Sequence, residues 1–148
     1  MAFLNSLNIS GSGMTAQQLR LDVISENITN ASTTRTEAGG AYRRKVVTME
    51  SQGSFQAALA RARREGSNHY QVSGGVSVTG IEEDPSDLKL VYDPTHPDAN
   101  EDGYVEMPNV DMVKEMTDAM AASQAFSANV TVFNTLKSVI AKGLEIGK

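Results

Sequence analysis

The chain has 148 residues, a net charge of −5 at pH 7, 40% hydrophobic residues and only 5% aromatic residues. Its length allows one small domain with extended arms, and its acidic balance argues against nucleic-acid binding, which needs a basic surface. The absence of Cys excludes disulfides, thiolate metal sites and cysteine nucleophiles. No apolar stretch approaches the roughly 20 residues of a transmembrane helix, and the N-terminus lacks the basic start and apolar core of a cleavable signal peptide. We therefore expect no direct membrane insertion and no cleaved signal, and an enzyme is the weaker hypothesis.

The N-terminal segment predicts a helix over roughly residues 3–30. Apolar side chains recur there at steps of four and three, the spacing of a coiled-coil face. Residues 10–13, which read Ser-Gly-Ser-Gly, weaken its first half, and the turn-forming run over residues 27–34 ends it. The apolar positions that we expect to contact other subunits are Phe3, Leu7, Met14, Leu21, Ile24 and Ile28.

The middle of the chain has the pattern of short strands. Residues 42–49, 75–81 and 88–92 alternate or carry β-branched side chains, which predicts three strands. Residues 55–64 weakly predict a short helix. The sequence thus divides into an N-terminal helix (1–33), a β-rich module (34–108) and a C-terminal helix (109–148).

Residues 109–142 contain neither Gly nor Pro and predict one long helix. Asn109 is the expected N-cap, Asp111 lies in the expected first turn, and Lys142 with Gly143 forms the expected C-terminal end. The apolar positions cover more surface than one partner helix can bury, so we expect several neighbours. Those positions are Met112, Met116, Met120, Phe126, Val130, Phe133, Leu136, Val139, Ile140 and Leu144.

Charge is segregated along the chain. Residues 82–118 carry a net charge of −10, whereas residues 20–64 carry +4. One interpretation is two solvated faces, since exposed ion pairs contribute little. The other is head-to-tail complementarity between copies, which steers assembly; changing Arg43, Arg44 and Lys45 to Glu tests it.

Few residues suggest chemistry. Residues 98–106 partly match an EF-hand calcium loop, but position 12 is Asn109 in place of the bidentate Glu, so an acidic turn leading into a strand is favoured. His96 is better explained as a loop residue paired with Asp98 than as a general base, and His69 is isolated. The basic runs at 43–45 and 61–64 lack interleaved aromatics, which argues against nucleic acid. We therefore predict no catalytic, cofactor-binding or metal-binding residue.

Three segments together resemble the bacterial flagellar axial proteins, and closest among them the basal-body rod proteins of the C-type, which are proximal rod subunits. The first runs from Ser12 to Thr33, the second from Tyr92 to Val110 and includes Asp93-Pro94-Thr95-His96-Pro97-Asp98, and the third from Val110 to Gly147. The resemblance implies a mainly α fold in which the two terminal helices pair as an antiparallel coiled coil lining the inner tube, with the β-rich module inserted between them and lying outside.

The same resemblance implies a structural subunit of the rod, the drive shaft that crosses the periplasm. The implied partners are copies of the chain, other rod proteins, the membrane (MS) ring and the export-gate base, with export through the flagellar type III apparatus. Burial of the apolar stripes falls short of the entropy cost of ordering two long arms, so we expect arms that are mobile in the monomer and helical in the polymer. The alternatives are a soluble coiled-coil adaptor of a type III secretion system and a calcium-binding interaction module.

Overall fold

The computed structural model describes residues 2–37, 39–52 and 74–146. These residues form two helices with four short strands between them: α1 (Ala2–Thr29), β1 (Lys45–Ser51), β2 (Val76–Glu83), β3 (Lys89–Tyr92), β4 (Tyr104–Met107) and α2 (Met112–Ile146). A mainly α fold with a small β-rich middle is confirmed. The helix expected at 55–64 and His69 lie outside the described residues.

Helix α1 matches its predicted bounds within a residue and passes without interruption through residues 10–13. The small residues that weaken helix propensity serve close packing instead. A Cβ placed on Gly13 would lie 3.1 Å from Asn129 Nδ2, and Ser12 Oγ accepts a hydrogen bond of 3.1 Å from the Val76 amide. Absence of bulk thus lets neighbouring chain segments approach α1 closely.

Helix α2 differs from its predicted ends. It begins at Met112, and Asp111 is its N-cap because the Asp111 carboxylate accepts hydrogen bonds from the amides of Val113 and Lys114, at 3.0 and 3.3 Å. The assignment of Asn109 as the cap was wrong. The expected end at Gly143 was also wrong: α2 continues to Ile146, and Gly143 does not adopt the left-handed conformation that ends helices.

The four strands form two two-stranded sheets, β1 with β2 and β3 with β4. The three predicted strands are present, each shifted by one to three residues at its start. Strands β3 and β4 are antiparallel, with Leu90 opposite Glu106 and Tyr92 opposite Tyr104. The predicted acidic turn followed by a strand is confirmed, since β4 directly follows the turn at residues 98–103.

The described residues form two compact units. The described parts of Met1–Gln18, Met49–Thr79 and Ser123–Lys148 form the first, named here the helix-end unit, and those of Leu19–Thr48 and Gly80–Ala122 form the second, the cluster unit. Among the described helices, none is both long and apolar enough to cross a membrane. The division of the sequence into residues 1–33, 34–108 and 109–148 stays a prediction.

Candidate functional site

The cluster unit is organised around buried polar side chains. Asn27 of α1 and Glu115 of α2 are both fully buried, with 0% exposure. Asn27 Nδ2 donates to the Lys45 carbonyl at 2.8 Å and to Glu115 Oε2 at 3.1 Å. Asn27 Oδ1 accepts from the Lys45 amide and from the Tyr42 hydroxyl, both at 2.9 Å. One amide side chain therefore joins α1, the start of β1 and α2.

Glu115 is balanced by a cation from β1's approach. Arg44 Nε donates to Glu115 Oε1 at 2.6 Å, and the guanidinium also lies 3.4 Å from Asp84 and 3.7 Å from Asp118. Burial lowers the pKa of Arg44, but the hydrogen bonds and charges of Glu115 and Asp84 outweigh that effect and raise the pKa above its usual value. The cation stays charged, as a buried carboxylate requires.

Tyr42 completes this set, which we call the polar cluster: Asn27, Tyr42, Arg44 and Glu115. Its ring is 7% exposed, and its hydroxyl donates to Asn27. Burial, followed by the negative charges of Glu26, Glu115 and Glu83, raises the pKa of Tyr42 to about 12. The hydroxyl is therefore a permanent donor at neutral pH.

Asn109 ties the remaining loops to the polar cluster. Its Oδ1 accepts from the Arg44 amide at 2.8 Å, and its Nδ2 donates to the carbonyls of Asp84 and Ser86 and to the Ser86 hydroxyl. Hydrogen bonds from Ser86 lower the pKa of Asp84, with a further contribution from Arg44. The side chain expected to cap α2 thus bridges two loops instead.

The polar cluster defines how the helices run inside the cluster unit. Asn27 contacts Glu115, and one to two turns earlier in α1 Arg20 lies 3.7 Å from Asp118. The later residue of α1 meets the earlier residue of α2, so the helices are antiparallel where they touch in this unit. Coiled-coil pairing along their whole length stays a prediction.

Several cations of the basic segment meet acidic residues of the same chain. Arg44 and Arg20 contact Asp118, and Arg35 lies 3.9 Å from Asp98. The head-to-tail hypothesis remains untested, but the triple change to Glu at residues 43–45 does not isolate it. That change would place a carboxylate beside Glu115 and disrupt the polar cluster.

The residues predicted to contact other subunits fall into two groups. Those buried or half-buried within this chain are Leu7, Met14, Leu21, Ile24, Ile28, Phe126, Val130, Phe133, Leu136 and Ile140. Those exposed are Met112, Met116, Met120, Val139 and Leu144. The side chain of Phe3 lies outside the described residues. Only the second group presents open apolar surface in a single copy.

The exposed group includes a stripe near the start of α2. Met112, Met116 and Met120 are 43%, 53% and 62% exposed, and Val113 beside them is also exposed. The residues of α2 that are buried are Glu115 and Ala122, seven positions apart. The packed side of the helix thus follows a polar and a small residue, and the methionines lie on another side. We call Met112, Val113, Met116 and Met120 the methionine face.

The segment that resembles a calcium loop uses its oxygens for its own turns. Asn100 Oδ1 accepts from the amides of Asp102 and Tyr104, and Asp98 Oδ2 accepts from the Thr34 hydroxyl. His96 Nδ1 accepts from the Asp98 amide at 3.1 Å, so the predicted pairing of His96 with Asp98 is confirmed. Within residues 2–37, 39–52 and 74–146, no group of three or more acidic, His or Cys side chains could hold a metal ion.

Sequence reasoning missed every member of the polar cluster. Asn27 lies within the turn-forming run that was expected to end α1, where amide side chains are unremarkable. Glu115 sits among helix-favouring residues that suit an exposed surface. The available signal was the interruption of the apolar spacing: Glu115 precedes Ala122 by seven residues, which marks a second stripe beside the methionines.

Comparison with known proteins gives a consistent result over the whole chain. Residues 7–35 match the family model described as flagella basal body rod protein, and residues 101–146 match the C-terminal model of flagellar basal body rod FlgEFG proteins. The chain is 45% identical to the flagellar basal-body rod protein FlgC of Bacillus subtilis, with 100% of both chains covered. It is 41% identical to FlgC of Borreliella burgdorferi, with 99% and 98% covered, and 40% identical to FlgC of Salmonella typhimurium, with 100% of both covered.

Proposed function

Because this chain belongs to the family of FlgC flagellar basal-body rod proteins, we propose that it polymerises in the proximal part of the rod and transmits torque as part of a tubular shaft. The chain is a structural subunit of the flagellar basal-body rod and serves flagellar motility. Neither alternative, a secretion adaptor or a calcium-binding module, is supported by any relative. A structural role without catalysis fits relatives that are all named as rod proteins.

The observation that carries polymerisation is the methionine face. Its four large apolar side chains follow one side of α2 and stay exposed in the single copy. Patches of this kind mark protein contacts, and flexible methionines suit neighbours of different shape. In our proposal this face is covered by copies of the chain and by other rod proteins.

The remaining features of the proposal follow from the family and the sequence. The long helices line the inner tube as an antiparallel coiled coil, and the β-rich strands lie outside. The base of the rod meets the MS ring and the export gate. Subunits reach the periplasm through the flagellar type III apparatus without loss of a signal peptide.

Substitution of the methionines tests this proposal. Met112, Met116 and Met120 are changed together to Gln in a strain whose own copy of the gene is deleted. We expect loss of swimming in soft agar and basal bodies without complete rods in electron micrographs. The matched control changes Ala121 and Ala128, which are exposed on another side of α2, to Gln and should swim. Normal swimming of the methionine variant would contradict the proposal.

A further inference from the structure

Strands β3 and β4 present an apolar face to solvent. Residues that pair directly across antiparallel strands share a face, so Leu90, Tyr92, Tyr104 and Glu106 lie together. Leu90 and Tyr92 are each 65% exposed and Tyr104 is 43% exposed, whereas Val105 on the opposite face is buried. We call these four residues the hairpin face.

The hairpin face is held in a fixed shape. The rings of Tyr92 and Tyr104 meet edge to face with centroids 5.2 Å apart. The turn behind them is closed by bonds from the Asp93 amide to the Gly103 carbonyl, at 2.9 Å, and from the Tyr104 amide to Asn100 Oδ1, at 2.8 Å. Aromatic side chains that are ordered before binding lose little entropy on association, which favours their use as contact residues.

The charge around the hairpin face is negative. Glu106 belongs to the face, and Glu101 and Asp102 are exposed in the adjoining turn. Lys89 lies on the opposite face, where its ammonium donates to the Val110 carbonyl at 2.8 Å. A surface that covers the hairpin face should therefore combine apolar side chains with a cation.

The C-terminal part of α2 offers such a surface. Val132 and Val139 are exposed and seven residues apart, which places them on one side of the helix. Lys142 is exposed three residues after Val139, on the same side. We call Val132, Val139 and Lys142 the α2 tail face.

We infer that the hairpin face of one copy docks on the α2 tail face of a second copy. The valines cover the tyrosine rings and Leu90, and Lys142 approaches Glu106. The complementary charges select the direction of the contact, since each face repels a copy of itself. This inference rests on the proposed rod function and adds the identity of two surfaces that meet.

Cysteine cross-linking tests the contact directly, because the chain has no cysteine of its own. Tyr92→Cys and Val139→Cys are combined in one chain, expressed in the deletion strain, and treated in isolated basal bodies with a short bis-maleimide. We expect covalent dimers and larger ladders of this chain on denaturing gels. The control combines Tyr92→Cys with Val113→Cys, which is exposed but outside the α2 tail face, and should give no dimer.

A charge exchange decides the case if the cysteine variants do not assemble. Glu106→Lys alone and Lys142→Glu alone should each reduce swimming, and the two together should restore it. Assembled rods that give no Tyr92–Val139 dimer, or that cross-link Tyr92 to a different basal-body protein, would overturn the inference, as would a double charge variant no better than either single one. The proposed rod function fails separately, when the unmodified chain does not restore rods to the deletion strain.

Discussion

The cluster unit and the helix-end unit bury very different side chains. In the cluster unit Val23, Ile24, Tyr42, Val105 and Val110 are buried beside Asn27 and Glu115. Among the described residues of the helix-end unit only Ser10 and Ala16 are buried to that degree, and both are small. The same two helices therefore contribute to a self-contained core in one unit and to a thinly packed one in the other.

This difference indicates how stability is divided along a single helix. Residues 19–29 of α1 and 112–122 of α2 find hydrogen-bond and apolar partners in their own chain. The opposite ends expose Leu4, Val132, Val139 and Leu144. Apolar surface of that kind is stabilising only when another molecule covers it. The helix ends are thus the parts of the molecule suited to assembly.

The largest contrast should appear in amide hydrogen exchange of the purified monomer. We expect residues 19–29 and 112–122 to exchange slowly, near the global unfolding free energy of about 5 kcal/mol or more. Residues 4–18 and 123–145 should exchange with opening free energies near zero. This sharpens the sequence-based expectation of mobile arms, which would then apply to the helix ends alone. Equal protection along both helices would contradict the comparison.

Removal of the Glu115 carboxylate should cost the most of any single substitution. Glu115→Ala leaves Arg44 partly buried without its main counter-ion, and breaking a buried pair costs about 3–5 kcal/mol. Urea unfolding followed by circular dichroism measures the change. Glu145→Ala, on an exposed position of the same helix, should change the unfolding free energy by less than about 0.5 kcal/mol.

Asn27→Ala should be the next most damaging change. It removes four hydrogen bonds and leaves the Lys45 amide and carbonyl without partners, at about 1–3 kcal/mol for each buried group left unsatisfied. Asn8→Ala on the exposed side of α1 is the matched control. Similar urea midpoints for the two variants would show that the polar cluster does not stabilise the unit.

Two glycines allow the support of the hairpin face to be measured. Gly103 and Gly39 both have positive φ, 80° and 87°, so Ala at either position carries a penalty of about 1 kcal/mol. Only at Gly103 would the new Cβ also meet another side chain, 3.0 Å from Tyr92. We expect Gly103→Ala to lower the unfolding free energy more than Gly39→Ala does. Equal losses would mean that Tyr92 moves aside freely.

The smallest effect concerns Tyr42 at alkaline pH. Its pKa is raised from 10.0 to about 12 in the folded chain, so the folded state holds this proton more tightly than the unfolded state. The associated stability is complete below pH 10 and is lost as the pH rises from 10 toward 12. Absorbance of tyrosinate should show one late step that Tyr42→Phe removes. Persistence of that step in the variant would assign it to another tyrosine.

Local patterns in the sequence predicted the elements well but not what holds them together. Helix α1, helix α2 and three strands follow from apolar spacing and from the absence of Gly and Pro. The N-cap of α2 was misplaced because Asn109 and Asp111 are both good caps, and only the tertiary bonds of Asn109 to Arg44 and Ser86 decide between them. The polar cluster joins residues up to 88 positions apart, which no local pattern encodes.

The span of the polar cluster also determines when this chain can fold. Asn27 meets Glu115 across 88 residues, and Arg44 meets it across 71. A chain whose last third is still missing has a buried-type arginine and amide with nothing to neutralise or bind them. Completion of the C-terminal helix is therefore the event that permits closure, and the molecule verifies its own full length before it becomes a rigid building block.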